Sequence, residues 1–216
     1  MEPIVGLLLA AGDSRRFGGD KLLHPLPGGE AIAAASARRL AAAVDRAIVL
    51  VRPGQPALRG ALAPLGVEIV EVADAGNGMG ATLAAGVRAV PQAGGWLVAL
   101  GDMPYLREET LGGVAAALRA GAAIAAPYHG GRRGHPVGFA KRWFDALAAL
   151  SGDEGARNLL RTQGEAIVRL EVDDPGCLFD VDVPGDLEKP GDFVSCGASM
   201  VISSKGAAPN AGTKWR

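Results

Sequence analysis

Apolar residues in this chain fall into short unbroken runs, and between the runs lie Ala-rich stretches whose apolar positions recur with a helical period. Runs of four to six apolar residues without polar alternation suit strands buried on both faces, as in a parallel sheet. On this pattern strands are predicted at 4–9, 47–51, 68–72, 96–100 and 123–127, with later ones at 137–139, 167–172 and 178–181. Helices are predicted at 30–44, 56–65, 80–90, 107–119 and 143–150. Parallel strands require crossovers of this kind. The alternation therefore predicts a single-domain α/β fold with a mostly parallel sheet flanked by helices.

The C-terminal stretch breaks the pattern. From Lys189 onward Gly, Ser, Pro and Lys surround one brief apolar patch, Met200-Val201-Ile202, with no sustained period. A domain over 1–188 followed by a flexible or loosely docked tail over 189–216 is expected.

Composition narrows the partners more than the fold. The 216 residues carry 22 Lys plus Arg against 23 Asp plus Glu, a net charge of −1, so a broad nucleic-acid footprint is not expected. The two cysteines, Cys177 and Cys196, form neither a close framework nor a C-x-x-C pair, which points away from a disulfide scaffold or zinc site and toward a reducing, cytoplasmic setting. No export signal or membrane-spanning run is read in the sequence, so a membrane partner is not expected either.

Ligands of open α/β sheets bind beyond the carboxyl ends of the strands, and the chain places its chemistry-bearing residues in those loops. After the first run comes Leu9-Ala10-Ala11-Gly12-Asp13-Ser14-Arg15-Arg16-Phe17-Gly18-Gly19-Asp20-Lys21, an apolar strand end passing into a small, glycine-containing, cationic loop. Its backbone N–H groups can face an anion, the Arg16 guanidinium can fork onto phosphate oxygens, and Lys21 adds a compact mobile charge. Neither the Walker spacing nor the dinucleotide Gly-x-Gly-x-x-Gly pattern is present. After the fourth run comes Leu100-Gly101-Asp102-Met103-Pro104, whose carboxylate suits a hard cation such as magnesium and, read alone, equally suits a helix cap. Two more aspartates, Asp180 and Asp182, share a face if the 178–181 run is extended. Gly76-Asn77-Gly78-Met79-Gly80-Ala81-Thr82 runs into a small-residue helix whose first N–H groups suit an anion or base carbonyl. There Thr82 is a hydrogen-bond partner or a cap, and Met79 reads as core.

The first of these segments matches Leu-Ala-Ala-Gly-x-Ser-x-Arg-x-Gly-x-x-Lys at every fixed position, and Arg133-Gly134-His135-Pro136-Val137 follows later. In both the chain resembles the molybdenum cofactor nucleotidyltransferases, and within them the cytidylyltransferase branch, over about its first 187 residues. The resemblance implies a Rossmann-like nucleotidyltransferase fold and a magnesium-dependent transfer of CMP from CTP to molybdenum-bearing molybdopterin, with release of pyrophosphate. It implies nucleotide binding by Leu9, Ala10, Ala11, Gly12, Ser14, Arg16, Lys21, Gly78, Gly80, Thr82 and Asp102, with Arg16, Lys21 and Asp102 catalytic. Asp102 and Asp182 are the implied Mg2+ ligands, with Asp180 a weaker one. Arg133 and His135 are the implied acceptor contacts, and a molybdoenzyme or its cofactor-insertion chaperone is an implied protein partner.

The base assignment rests on the Ala10-Ala11-Gly12 form of the loop, where the guanylyltransferase branch usually has Ala-Gly-Gly, and on the Arg-Gly-His-Pro-Val element. The Ala11 methyl would narrow the base pocket toward a pyrimidine. Sugar-phosphate and methylerythritol-phosphate cytidylyltransferases share the Ala-Ala-Gly start but usually carry Pro immediately before the Lys, where Asp20 stands here. A guanylyltransferase, a cytidylyltransferase for another phosphate, and a non-catalytic carrier of molybdenum cofactor are the alternatives.

Overall fold

The structure, a computed structural model, describes residues 2–12, 17–188 and 201–202. Strand β1 (Ile4–Leu9) shows why the apolar runs became buried strands. Ile4 and Leu8 enter a core on one face, whereas Val5 and Leu7 enter a core on the other. Helix α1 (Ile32–Ala43) leads to β2 (Arg46–Val51), α2 (Pro56–Leu62) to β3 (Glu68–Glu71), and α3 (Met79–Ala89) to β4 (Gly95–Leu100). Helix α4 (Glu108–Arg119) follows, with acidic residues in its first turn and Arg119 in its last, matching the helix dipole. Then come β5 (Ile124–His129), β6 (Arg132–Arg133), β7 (Val137–Ala140), α5 (Phe144–Ala148), α6 (Arg157–Thr162), β8 (Ile167–Glu171) and β9 (Val201–Ile202).

The strand order is β3-β2-β1-β4-β7-β5-β8-β9, with β6 paired to β5. Pairings among β1 to β4 and between β5 and β8 are parallel, whereas β7 runs antiparallel to both neighbours. Helices α1, α2 and α4 cover one face through Leu40, Leu58, Leu62, Leu111, Val114 and Leu118. Helices α3, α5 and α6 cover the other through Leu83, Val87, Leu147 and Leu160. Helix α1 seats closely because β1 offers Gly6, where an added β-carbon would come within 2.8 Å of Leu40.

This is the predicted single-domain α/β architecture, with local differences that include the short unpredicted strand β6. The predicted helix over 56–65 stops at Leu62 and tightens into a 3-10 turn, Ala63–Leu65, because Pro64 cannot donate a helical hydrogen bond. No strand forms over 178–181. The chain instead makes a 3-10 turn, Pro175–Leu178, and an irregular stretch whose Val181 N–H donates to the Asp102 carbonyl at 2.9 Å. Helix α6 was not predicted, since the polar, Gly-containing 151–156 segment before it gives no period. Val201–Ile202 pairs antiparallel with β8, while the remainder of 189–216 lies outside the described residues. Among the described residues no helix is long and apolar enough to cross a membrane.

Candidate functional site

Topology opens the site before any side chain is considered. From β1 the chain passes to β2 and β3 on one side, then returns to β4 on the other side of β1. The loops leaving β1 and β4 therefore diverge, and the crevice between them is where open α/β sheets bind ligands. Gly101 N–H still donates to the Leu9 carbonyl at 2.9 Å, so the two loops separate just past that bond.

A cleft of 570 Å3 occupies this crevice, lined by Leu9, Ala10, Ala11 and Gly12 from the first loop and by Asp102 from the fourth. Lys21 enters it from a 3-10 turn, Lys21–Leu23, that places its aliphatic stem among buried residues. Its ammonium lies 2.8 Å from Asp102 Oδ2 and 3.6 Å from Asp182 Oδ1, so three segments distant in sequence meet at one charged centre. The Asp182 segment is held there by its backbone. Besides the Val181 bond to Asp102, the N–H groups of Asp182 and Val183 both donate to Asp186 Oδ2 at 2.9 Å. Asp186 is thereby a turn-forming carboxylate.

The two carboxylates fit a divalent ion. They already converge on a single cationic nitrogen, and a hard, oxygen-only pair open to a cleft is the donor set magnesium or manganese takes alongside substrate phosphates. Asp180 stands close enough to feel the charges of Asp102, Asp182 and Lys21, but it lines a second cleft, whereas Asp182 lines the first. Burial, reinforced by the nearby Asp102 carboxylate, pushes the Asp180 carboxyl above its usual range.

The loop after β3 forms another wall, in ways the sequence did not reveal. Gly78 and Thr82 line the cleft, as expected, although the Thr82 hydroxyl donates back to the Gly78 carbonyl at 3.3 Å. Gly80 is a correction. Its N–H, expected to serve the nucleotide, donates to the Gly152 carbonyl at 2.7 Å, and an added β-carbon there would collide with the Ser151 carbonyl. Met79 is a second correction, because it is exposed and faces both clefts instead of the core. The 151–153 loop packed on Gly78 and Gly80 brings Asp153 into the first cleft, a residue no motif had marked. Arg52, just past β2, was also missed; its guanidinium donates to the Gly12 carbonyl at 2.8 Å and braces the glycine loop. Ser14 and Arg16 lie outside the described residues.

The second cleft, 440 Å3, shares Leu9, Met79 and Leu100 with the first. Arg132, Arg133 and Arg157 line it, so the predicted acceptor residue Arg133 is joined by a neighbour on β6 and by a guanidinium from the unpredicted α6. His135 also lines it, anchored by its backbone N–H to the Cys177 carbonyl at 2.8 Å. Burial pushes the imidazole below its usual pKa, against the opposing pull of Asp102 and the Val98 backbone, and its Nδ1 has no partner among the described residues. Such a ring nitrogen can position a donor or acceptor group. The wall behind it is fixed by buried Asp174, which accepts from Gly176 N–H, Arg107 N–H and the Thr110 hydroxyl.

This geometry agrees with what the chain resembles. Residues 6–167 match the model of the MobA-like NTP transferase domain. The purine catabolism protein PucB of Bacillus subtilis is 31% identical over 195 residues, 86% of this chain and 94% of its own. Nicotine blue oxidoreductase of Paenarthrobacter nicotinovorans is 32% identical, covering 83% of this chain and 92% of its own. A probable molybdenum cofactor guanylyltransferase of Mycobacterium tuberculosis is 35% identical over a shorter span, 59% of this chain and 63% of its own. Among solved structures, Rv0371c from Mycobacterium tuberculosis superposes with a TM-score of 0.74 at 29% identity, covering 90% of this chain and 98% of its own. The same protein has been solved as a manganese complex. The chain belongs to the MobA-like NTP transferase family, and is a nucleotidyltransferase by that membership.

Proposed function

We propose that the protein transfers CMP from CTP to molybdenum-bearing molybdopterin, releasing pyrophosphate, with Mg2+ as its metal. The observation that carries this reading is the pair of adjoining clefts. One holds the Lys21, Asp102 and Asp182 centre, the other carries three arginines, and both meet along Leu9, Met79 and Leu100. A triphosphate suits the first, and the anionic phosphate of an acceptor suits the second.

In the reaction an oxygen of the acceptor phosphate bonds to the α-phosphorus, and the bond from that phosphorus to the α,β-bridging oxygen breaks. The acceptor phosphate is already anionic near neutral pH, so the step needs alignment and charge neutralisation more than proton removal. Lys21 steadies charge on the triphosphate and the departing pyrophosphate. Arg132, Arg133 and Arg157 hold the acceptor against its own repulsion from the nucleotide, and His135 orients it. Asp102 and Asp182 would hold a divalent ion, whose positive charge supplies further neutralisation when bound. Arg16 belongs to the same phosphate clamp on the strength of the loop motif.

Support for cytidine is local: Ala11 lines the cleft where a glycine would leave more room, which favours the smaller base. The guanylyltransferase relative keeps GTP as the second reading, and the oxidoreductase relative adds a chemistry in which no pyrophosphate forms. Pyrophosphate release measured with each of the four NTPs and purified molybdopterin separates them. CTP-specific release is expected. Faster release with GTP overturns the base assignment, and no release with any NTP overturns the transferase proposal.

A further inference from the structure

Among the described residues four ionisable side chains line the nucleotide cleft, and three of them, Lys21, Asp102 and Asp182, are engaged with one another. The fourth, Asp153, stands apart. It makes no hydrogen bond or ion pair among the described residues, yet it is not placed at random. Gly80 N–H holds the Gly152 carbonyl at 2.7 Å, and Gly78, at φ +101°, leaves room for the Asp153 carboxylate where any β-carbon would collide with it. Two glycines thus keep one acidic group at the cleft wall.

A carboxylate in that place cannot serve the triphosphate, because like charges repel. When ionised it is an acceptor only, so it needs an N–H or O–H from an uncharged part of the ligand. Its surroundings favour a flat ring over a sugar: Gly76, Gly78 and Ala75 present backbone without bulk, and the exposed Met79 offers a polarisable thioether beside it. Resting on the transferase reading above, we propose that Asp153 reads the amino edge of the nucleotide base, accepting from cytosine N4–H2 and so excluding uracil, which presents a carbonyl at that position. Guanine, with N–H groups on its own edge, offers the same carboxylate a partner. Asp153 therefore selects for an amino-bearing base, whereas Ala11 limits its size.

The test is titration of CTP, UTP and dCTP into the purified protein with Mg2+, for wild type and Asp153→Asn, by calorimetry. Wild type is expected to bind CTP at least about tenfold tighter than UTP, the typical worth of a hydrogen bond to a charged group. Asp153→Asn, whose amide can also donate to uracil O4, is expected to bring the two within about threefold while remaining folded, since the side chain is exposed. Equal CTP and UTP affinities in wild type overturn the proposal, as does a CTP preference that survives the substitution. A loss confined to discrimination between CTP and dCTP reassigns Asp153 to the ribose and also overturns it. Failure of every nucleotide to bind instead overturns the transferase reading itself.

Discussion

The Lys21 ammonium lies against both carboxylates proposed to hold a divalent ion, so its removal is expected to push two measurements in opposite directions. In Lys21→Met the stem stays similar and the ammonium goes. At 2.8 Å from Asp102, a unit charge contributes ~1.5 kcal/mol even with the screening of bulk water, and ~6 kcal/mol at an effective dielectric near 20. Asp102 is only partly exposed, so the water value is the lower bound. The second contact, at 3.6 Å to the more exposed Asp182, adds ~1 kcal/mol on the same water scale. A divalent cation entering the nucleotide-free site must work against this ammonium. Its deletion is therefore expected to tighten Mn2+ binding by about tenfold or more.

Turnover should move the other way. With nucleotide bound, Lys21 is proposed to steady charge on the triphosphate, and losing one such preorganised group typically costs about 100- to 1,000-fold in kcat. The assay pairs Mn2+ titration of nucleotide-free protein, followed by electron paramagnetic resonance, with pyrophosphate release at saturating metal. A variant whose metal affinity falls or stays unchanged would refute the claim that ammonium and metal compete for one site. Retained turnover would remove Lys21 from the phosphate clamp.

Asp102→Asn and Asp182→Asn are each expected to raise the metal concentration needed for half-maximal activity, whereas Asp186→Ala, which removes the acceptor for two N–H groups, lowers the melting temperature through a cost of ~1–3 kcal/mol and leaves metal dependence near wild type. Asp174→Ala strands three buried or half-buried donors and should destabilise by at least ~3 kcal/mol in urea unfolding, with little change in nucleotide affinity. Cys177 is fully buried, and burial pushes its thiol up to about 12, so it stays protonated at neutral pH. In a Cys196→Ser background, iodoacetamide at pH 8 should label the unfolded chain and spare the native one. Because the folded pKa is raised, the associated stabilisation is present below the unfolded thiol value and fades as pH climbs toward 12.

What the sequence disclosed and what it concealed divide along a physical line. The sheet was legible because a buried strand must be apolar on both faces, and runs such as 4–9 and 96–100 can satisfy no other environment so easily. Asp102 was legible because it sits just beyond the end of β4, and Lys21 because it closes the cationic loop that leaves β1, both in loops that the topology delivers to the crevice. Asp180 was only half legible, because the turn before it, Pro175–Leu178, and its place in the second cleft leave no trace in the sequence pattern. Asp153 and Arg157 were silent, and Met79 was misread as core, for another reason. Their roles arise from one loop packing on another, and no periodicity records a contact between residues 78–80 and 151–153.

That hidden contact bears on how the two clefts are held together. The 151–153 loop reaches the nucleotide cleft through Asp153, while the next residues, Glu154 and Arg157, face the second cleft. Met79, which packs beside Gly155, faces both. One short segment therefore stands between the two clefts, proposed above to take the triphosphate and its acceptor, and the glycines at 78 and 80 set how closely it approaches. Gly80→Ala, by forcing the Ser151 carbonyl outward, would displace both walls at once. Its cost should then appear in the KM of each substrate together, whereas a change at Ala11 or Arg133 should be felt mainly by one.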